Sequence, residues 1–427
     1  MGLDVDSLLV PFLGALQASV AVLLTIFSGM LARQFSLISE ESSKDVSRMC
    51  VKLFLPALLI VNVGSELHLE TGFRYLAILI WGITTTLVSL AFASVTTRVF
   101  KLPSWATLAM TFNNTTSLPL LLVSSLATTN LLDGLDKVGG ATSRANSYFL
   151  VNSMVSNSLT FAIGPRMLNG FDEDGPYDNC KADDIDEQID AEAREAEEEN
   201  EETSLLPSRV VSGGTRAQYS VYKKGVHLLH RLPPWAQTTL DFLYQFVNPP
   251  VIGAVLGATI GLVPALHRLF FNSQEDGGYF NAWLTSALKN VGGLFAALQV
   301  VLTGVKLSQS LVRMKNGEQG GTLPPWTFAL ITVFRFFIWP AVSIPIIYLL
   351  AKKTALLGDD PILWFTMMMM PTGPSALILT ALADVSGAEE EQKFTIAKFL
   401  TATYAISPII FLTVVGSLKA AEAAAGV

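Results

Sequence analysis

The sequence predicts an all-α membrane protein in which ten transmembrane helices form two inverted five-helix repeats. Of its 427 residues, 51% are hydrophobic and only 15% are charged, whereas soluble proteins carry about a quarter charged residues. The mean hydropathy is +0.46, and many apolar runs are about 20 residues long, enough to cross a bilayer as a helix. A polar, acidic stretch divides these runs into five plus five.

The apolar runs locate the predicted spans. The first repeat, residues 1–169, contains runs at 9–33, 46–65, 75–97, 104–127 and 143–168. The second repeat, residues 236–427, contains runs at 240–266, 284–308, 325–350, 361–383 and 395–416. Because each repeat has an odd number of spans, the second is expected to insert upside down relative to the first, as in inverted-repeat transporters.

Residues 170–235, between the repeats, are predicted to form a disordered acidic loop. Between Asp172 and Glu202 there are 16 acidic residues, against only Lys181 and Arg194. Such a stretch buries too little apolar surface to fold alone. This stretch therefore has a formal charge of −14, whereas the whole chain has −8. The remainder sums to +6, so the acidity resides in this loop rather than in the membrane part.

The distribution of Lys and Arg near the span ends predicts the orientation. Twelve lie on the side of the loop and seven, including Arg74 and Arg144, on the other, which places the loop in the cytosol. Within the loop, Glu201 followed by Leu205 and Leu206 matches an acidic dileucine sorting signal. A chance match in a flexible loop is the favoured interpretation, while a true signal would bind sorting adaptors and direct the protein to a vacuole or endosome.

The fourth span of each repeat contains a polar, proline-containing break, at residues 111–119 and 370–376. Pro119, Pro371 and Pro374 lack amide donors, so the helical hydrogen-bond ladder is expected to open there. Unwound backbone is tolerated at membrane depth only where protein or a water-filled cavity covers it. One break alone is typical of a simple proline kink, but two polar breaks at matched positions indicate a shared site.

Each half-helix that restarts after a break is expected to direct free N–H groups and partial positive charge toward the bilayer centre. Two such ends that meet would form an anion site, while a pair of unrelated proline kinks is the structural alternative. The predicted substrate-binding residues are Asn113, Asn114, Thr115, Pro119, Pro371, Thr372, Gly373, Pro374, Ser375 and Tyr404.

Five stretches at these and neighbouring positions resemble the auxin efflux carrier family of membrane transport proteins, which includes the plant PIN carriers and the PIN-likes. The matching stretches are LFLPALL at 53–59, the Asn-rich 113–121, the Asn-Pro-Pro stretch 248–264, 371–377 and 404–409. The Asn-Pro-Pro stretch and the Asn-rich break are the more specific ones. The likeness is strongest to the PIN-like and fungal branch.

The resemblance implies an NhaA-like fold of ten helices in which the broken spans 4 and 9 cross at the site. Spans 1, 2, 6 and 7 would form a scaffold and homodimer domain, and spans 3–5 and 8–10 a mobile transport domain. It further implies elevator-type transport of auxin-like carboxylates, in the endoplasmic reticulum membrane or alternatively the plasma membrane or vacuole. The family's Asn and Pro positions carry over onto Asn113, Asn114, Pro119, Pro371 and Pro374, although the second break lacks the Asn of several plant members.

Ionisable residues inside membrane spans are candidates for function. The predicted span interiors contain no Asp or Glu, and their basic residues are Lys52, Lys289, Lys306, Arg335 and Lys398. Most of these have stems long enough to reach the membrane interface. Arg335 and Lys398 are the two exceptions that we consider. Either side chain would attract an anion if it faced the helix bundle instead of the membrane interface.

The absence of acidic residues in the spans argues against tight coupling to protons or sodium. A carboxylate substrate carries its own charge, and one charge crossing 100 mV is worth about 2.3 kcal/mol. We therefore expect efflux of a small organic anion from the cytosol, driven by the membrane potential and the substrate gradient.

Two other functions stay open. A sodium- or proton-coupled symporter of the bile-acid type would need ion ligands, which Asn152, Ser153, Asn157 and Ser158 would supply. A membrane receptor or regulatory protein would bind its signal without moving it.

An enzyme is not expected, because the predicted spans contain neither a zinc-protease motif nor a nucleophile elbow. The four His residues are scattered and the two Cys residues lie in unlike environments, so no metal or other cofactor is expected. The lipid bilayer is an expected partner and nucleic acid is not.

Overall fold

The computed structural model describes residues 5–67, 72–129, 131–135, 139–169, 249–315, 323–385 and 390–426. Within these ranges the chain is helical and contains no named strand. Its contacts join Met1–Leu168 and Asn248–Val427 into one compact unit. The predicted acidic loop at 170–235 and the dileucine match lie outside the described residues.

The described residues up to 169 form seven α-helices. They are α1 (Val5–Gln34), α2 (Glu40–Met49), α3 (Leu55–Glu66), α4 (Gly72–Phe100), α5 (Ser104–Thr111), α6 (Ser117–Thr128) and α7 (Ala141–Asn169). A π-helical turn, Cys50–Phe54, makes α2 and α3 continuous.

The described residues from 249 onward form nine more α-helices. They are α8 (Pro249–Leu262), α9 (Pro264–Phe271), α10 (Ser286–Lys315), α11 (Pro325–Val333), α12 (Trp339–Lys353), α13 (Pro361–Met369), α14 (Ile378–Val385), α15 (Glu390–Ala405) and α16 (Ile410–Ala425). The π-helical turn Asn281–Thr285 precedes α10, and a second one, Phe334–Ile338, joins α11 to α12.

Six helical stretches of the described chain are long and apolar enough to cross a bilayer, and the pair α8 and α9, bent by 102°, would make a seventh. The fourth and ninth predicted spans are outside this set because each is divided into two short helices. The fifth corresponds to α7, which has 29 residues but is rich in Ser, Thr and Asn. The all-helical membrane fold is thus confirmed, while the ten-span inverted repeat stays a prediction.

The limits of the tenth predicted span, 395–416, are wrong. Helix α15 ends at Ala405, and a short 3₁₀ turn at Ser407–Ile409 precedes α16. The apolar stretch that could cross the membrane is Ser407–Ala425. Pro408 explains the difference, because a proline has no N–H to continue the ladder of the preceding helix.

Helix α4 has apolar side chains outside and small or hydroxyl-bearing side chains inside. Ile80, Val88 and Val95 are exposed, as expected for a surface that faces lipid. Its buried positions are Tyr75, Ile78, Gly82, Thr85, Thr86, Ser89, Ala93, Thr96 and Thr97. This inner face supplies several of the polar side chains that surround the two helix breaks.

Glycines bring the helices of the predicted spans 1, 2, 6 and 7 into close contact. A Cβ placed on Gly257 of α8 would lie 2.8 Å from the carbonyl oxygen of Leu59 on α3. Where α1 crosses α10, a Cβ on Gly304 would lie only 1.8 Å from the carbonyl oxygen of Ile26. Only glycine permits such backbone contact, which is a common way to pack membrane helices.

Candidate substrate-binding site

The two helix breaks lie against each other. Helix α5 ends at Thr111 and α6 begins at Ser117, while α13 ends at Met369 and α14 begins at Ile378. Between them, the Asn114 N–H donates to the Pro374 carbonyl at 2.9 Å and the Ala376 N–H donates to the Phe112 carbonyl at 3.0 Å. Asn113 and Ser375 therefore form an isolated antiparallel bridge. The interruptions predicted at 111–119 and 370–376 agree with this arrangement.

Side chains from each break satisfy the carbonyls left free by the other. Asn113 Nδ2 donates to the carbonyls of Met370 at 2.9 Å and Thr372 at 2.7 Å. In return, Ser375 Oγ donates to the Ala109 carbonyl in the last turn of α5, at 2.7 Å. The last carbonyls of a helix have no partner within it, so this exchange is what allows both helices to end inside the protein.

Two further side chains complete the carboxyl end of α13. Trp81 Nε1 on α4 donates to the Met367 carbonyl at 2.9 Å. Ser343 Oγ on α12 donates to the Met368 carbonyl at 2.7 Å. The end of α13 is thus fixed by donors from helices on several sides.

Asn114 connects the first break to α15. Its Nδ2 donates to the Tyr404 hydroxyl at 2.8 Å and to Ser117 Oγ at 3.1 Å. Tyr404 is 1% exposed. Asn114 and Tyr404, which were separate expectations from the sequence, therefore belong to one buried network.

Thr116 connects the first break to α7. Its hydroxyl lies 2.8 Å from Ser153 Oγ and accepts from Asn157 Nδ2 at 3.4 Å. Among the four α7 residues predicted as neutral ion ligands, Ser153 and Asn157 therefore lie beside the break.

The prolines have different positions in the two breaks. Pro119 lies in the first turn of α6, where its missing N–H would be unpaired in any case. Pro371 and Pro374 lie in the unwound segment, and their carbonyls accept from Arg335 and from the Asn114 N–H, respectively. Gly373, between them, has φ +100°, a conformation that glycine adopts without steric cost.

A polar cavity of about 10 Å³ lies beside the two breaks, which is room for one water-sized group. Three of the predicted site residues, Asn113, Thr115 and Pro371, line it. The other seven are not among its lining residues. Asn114, Thr372, Pro374, Ser375 and Tyr404 are instead held in the hydrogen bonds that position the breaks.

Arg335 lines the same cavity from the π-helical turn between α11 and α12. It is 1% exposed, and its Nη1 donates to the Pro371 carbonyl at 3.2 Å. Its Nε and Nη2 are buried and have no hydrogen-bond partner in the described part of the chain. Lys398, the other basic residue considered from the sequence, is half-buried on α15 and does not line the cavity.

A buried charge cluster at the start of α13 was missed from the sequence. Asp360, whose side chain is 1% exposed, pairs with Arg74 at 3.0 Å and with Arg144 at 2.9 Å. Its carboxylate also accepts from the Tyr148 hydroxyl at 2.7 Å and from the Ile362 N–H at 3.1 Å. An Asp-Pro pair before an apolar run is a helix-start pattern, and this signal could have indicated Asp360 as an N-cap. Its two arginine partners were counted only among the basic residues near the span ends.

In the part of the chain that the structure describes, no group of three or more His, Cys, Asp or Glu residues could hold a metal ion. The chemistry available at the breaks is instead that of amide and hydroxyl groups with a single guanidinium.

The comparisons with known proteins identify the family. Residues 15–414 match the family described as "Membrane transport protein". The chain belongs to this family. The match spans both parts of the described fold and confirms the resemblance seen in the sequence.

Relatives of this membrane transport protein occur in fungi and plants. It is 23% identical to the uncharacterized transporter C5D6.04 of Schizosaccharomyces pombe, over 95% of this chain and 93% of that protein. It is 22% identical to the uncharacterized transporter YBR287W of Saccharomyces cerevisiae, over 86% of each. A local match to Protein PIN-LIKES 2 of Arabidopsis thaliana is 27% identical but covers only 34% of this chain and 29% of that protein. The membership makes this a multi-pass integral membrane protein of a transporter family rather than of an enzyme family.

Proposed function

We propose that this membrane transport protein is an efflux carrier for small organic anions such as auxin-like carboxylates. The observation that supports this most directly is the pairing of the two broken helices beside a polar cavity. Helices α6 and α14 both begin at the breaks, and helix amino ends favour bound anions. The ten-helix inverted repeat with crossed broken spans accounts for why two distant segments form one site.

An elevator motion is the mechanism that we propose for this carrier. The close glycine contacts of α1 with α10 and of α3 with α8 support a scaffold made from spans 1, 2, 6 and 7. The two breaks, joined by backbone hydrogen bonds, would belong to the moving domain. In this arrangement the substrate crosses the membrane together with the helices that bind it.

The energy source that we propose is the membrane potential together with the substrate gradient. No Asp or Glu is among the residues that line the cavity in the described structure. A substrate that carries one negative charge would be driven out of the cytosol by the potential alone.

The cluster formed by Thr116, Ser153 and Asn157 supports a second candidate, a sodium-coupled symporter. These side chains offer neutral oxygens beside the first break, and hard cations take oxygen ligands. Dependence of flux on sodium would decide for this candidate over the potential-driven carrier.

Flux into proteoliposomes tests the proposal. Purified protein is reconstituted, a potassium diffusion potential is imposed, and uptake of benzoate, phenylacetate and indole-3-acetate is measured with and without sodium or proton gradients. We expect uptake that follows the potential and needs neither gradient. The substitution Asn114→Ala should reduce the rate of uptake at least tenfold, because it removes the hydrogen bond from Asn114 to the Tyr404 hydroxyl. Asn290→Ala, at an exposed position on α10, is the matched control.

Binding without flux in the wild-type protein would favour a receptor and overturn the carrier. Strict dependence on sodium or on a proton gradient would overturn the proposed energy source.

The endoplasmic reticulum is the membrane that we propose for this protein, on the basis of its likeness to the PIN-like branch. A fluorescently tagged full-length copy should overlap with a marker of that compartment. Labelling of the plasma membrane or vacuole instead would reject the assignment.

A further inference from the structure

We propose that Arg335 binds the negative charge of the substrate, and that its cavity selects acids with a single carboxylate. This inference rests on the proposed transport function and assigns the charge recognition to one side chain. The pattern of the breaks predicts an anion at two helix amino ends, and Arg335 was one of two basic residues considered beside them. The structure places Arg335, and not Lys398, at the cavity.

The charge of Arg335 has no counter-ion among the residues that the structure describes. The guanidinium stays protonated in proteins, and burial of an unpaired charge is costly. No Asp or Glu pairs with it among the described residues, and its one hydrogen bond is to the Pro371 carbonyl. A bound anion would offset the cost of burying this charge.

The two unused nitrogens are the pair that a carboxylate would need. Nη1 is occupied by the Pro371 carbonyl, which leaves Nε and Nη2 buried and without partners. These two N–H groups point in the same direction from one edge of the guanidinium plane. That edge matches the two oxygens of a carboxylate in a bidentate pair.

The cavity around Arg335 provides additional donors and no competing acid. Ser89 and Ser156 line it from α4 and α7, together with Asn152. Ser89 Oγ accepts a hydrogen bond from Trp339 Nε1 at 3.0 Å, which leaves its own O–H to donate to an anion. The second charge of a dicarboxylate would find no cation among the lining residues, so monocarboxylates should be preferred.

The size of the cavity determines how the acid can enter. A volume of about 10 Å³ is room for one water-sized group, so a carboxylate can enter with one oxygen first. The cavity would have to widen before the second oxygen completes the two-point pair with Arg335 and before the body of the acid can follow, as an alternating-access cycle does.

A purely structural role for Arg335 makes a different prediction. The Nη1 bond to the Pro371 carbonyl follows the carboxyl end of α13, and a cation there stabilises a helix end without any ligand. Such a role affects folding but gives no preference for an acid over its neutral amide. The test therefore measures that preference.

Binding is measured on detergent-purified full-length protein, by the shift in unfolding temperature with ligand concentration. The probes are benzoate, phenylacetate and indole-3-acetate, their primary amides, and phthalate as a dianion. In the wild type we expect each monocarboxylate to bind at least tenfold more tightly than its amide and than phthalate. Arg335→Gln should weaken carboxylate binding about 10- to 100-fold and leave the weak binding of the amides unchanged.

Two further variants keep the test decisive. Arg335→Lys retains the charge but loses the two-point edge, so it should bind carboxylates with an intermediate affinity and still prefer them to amides. It replaces Arg335→Gln if that variant does not fold.

The control variant is Arg98→Gln, which removes an exposed charge at the end of α4 and should bind like the wild type. Equal binding of acids and amides by the wild type, or an unchanged preference in Arg335→Gln, would overturn the inference.

The two proposals can fail separately. If the wild type binds monocarboxylates through Arg335 but does not move them into liposomes, the carrier function is wrong and the binding site stands. If flux is present but Arg335→Gln transports and binds as the wild type does, only the role of Arg335 is wrong.

Discussion

Asn113 is the residue on which the geometry of both breaks depends. It donates two hydrogen bonds from one amide to carbonyls more than 250 residues away in the chain, and its backbone takes part in the bridge to Ser375. The sequence predicts a polar residue that satisfies freed backbone groups. It does not predict which groups, because the partners are brought together only by the tertiary fold.

Substitution of Asn113 should destabilise the protein. Asn113→Ala leaves the Met370 and Thr372 carbonyls buried without donors, at a cost of about 1–3 kcal/mol each. Asn113→Asp should be at least as harmful, because a carboxylate cannot donate to a carbonyl. Thermal unfolding in detergent measures the effect, and Asn290→Ala should change stability by less than about 0.5 kcal/mol. An unchanged unfolding temperature in Asn113→Ala would contradict the capping role.

Asp360 shows why a residue can be missed from the sequence. A charge beside an apolar run indicates the end of a span, because isolated charges are expensive in the membrane. The structure buries Asp360 by pairing it with Arg74 and Arg144, and no local pattern in the sequence indicates these distant partners. Both arginines are among the seven basic residues that the sequence analysis assigns to the side opposite the loop.

Substitution of Asp360 separates its charge from its helix cap. Asp360→Asn keeps a good capping side chain but leaves two arginines without their common counter-ion. Loss of one partner of a buried pair costs about 3–5 kcal/mol, so we expect a large fall in unfolding temperature or in the yield of folded protein. Asp359→Asn, at the exposed neighbouring position, is the control. Similar stability in both variants would show that the cluster is not a major source of stability.

At the scale of elements, the positions of most helices follow from two features of the sequence, its apolar runs and its prolines. Apolar runs located five of the six described stretches that could cross the membrane and part of the sixth, Ser407–Ala425, and prolines located the two central breaks. The sequence shows that α7 is rich in Ser, Thr and Asn, but it does not show which helices cover α7 or that α8 and α9 bend by 102°. Both of these features depend on what packs beside each helix rather than on its own composition.

Gly304 and Gly293 give a matched test of helix packing within α10. Gly304→Ala would place a methyl group 1.8 Å from the Ile26 carbonyl oxygen, so α1 and α10 must separate, at a cost of about 1–3 kcal/mol or more. Gly293 has open space around it, and Gly293→Ala should be neutral or stabilise the helix by about 0.5–1 kcal/mol. The two unfolding temperatures should therefore shift in opposite directions or differ clearly. If both variants behave alike, the contact between α1 and α10 is looser than the structure shows.

For the whole molecule, a fixed cation at the substrate changes which step responds to voltage. If Arg335 moves together with a bound monocarboxylate, the loaded site carries no net charge and the empty site carries one positive charge. Each full cycle still moves one negative charge, worth about 2.3 kcal/mol per 100 mV. The potential would then act mainly on the return of the empty carrier.

Electrical recordings from reconstituted protein on a solid-supported membrane test this consequence of the two proposals. Voltage steps applied without substrate should produce transient charge movement, and saturating phenylacetate should suppress it. Arg335→Gln should show the reverse, with charge movement only when the acid is bound. Transient currents in the wild type that appear only with substrate would contradict the scheme.

The bridge between Asn113 and Ser375 also has a consequence for how the protein is made. The first break enters the membrane during synthesis long before the second has been made. Until residues 374 and 376 arrive, the Phe112 carbonyl and the Asn114 amide lack their hydrogen-bond partners. Lipid offers neither group a substitute. The early helices should therefore remain loosely assembled, or be shielded by the insertion machinery, until the late ones arrive. A chain cut after α7 should be degraded rather than persist as a stable half.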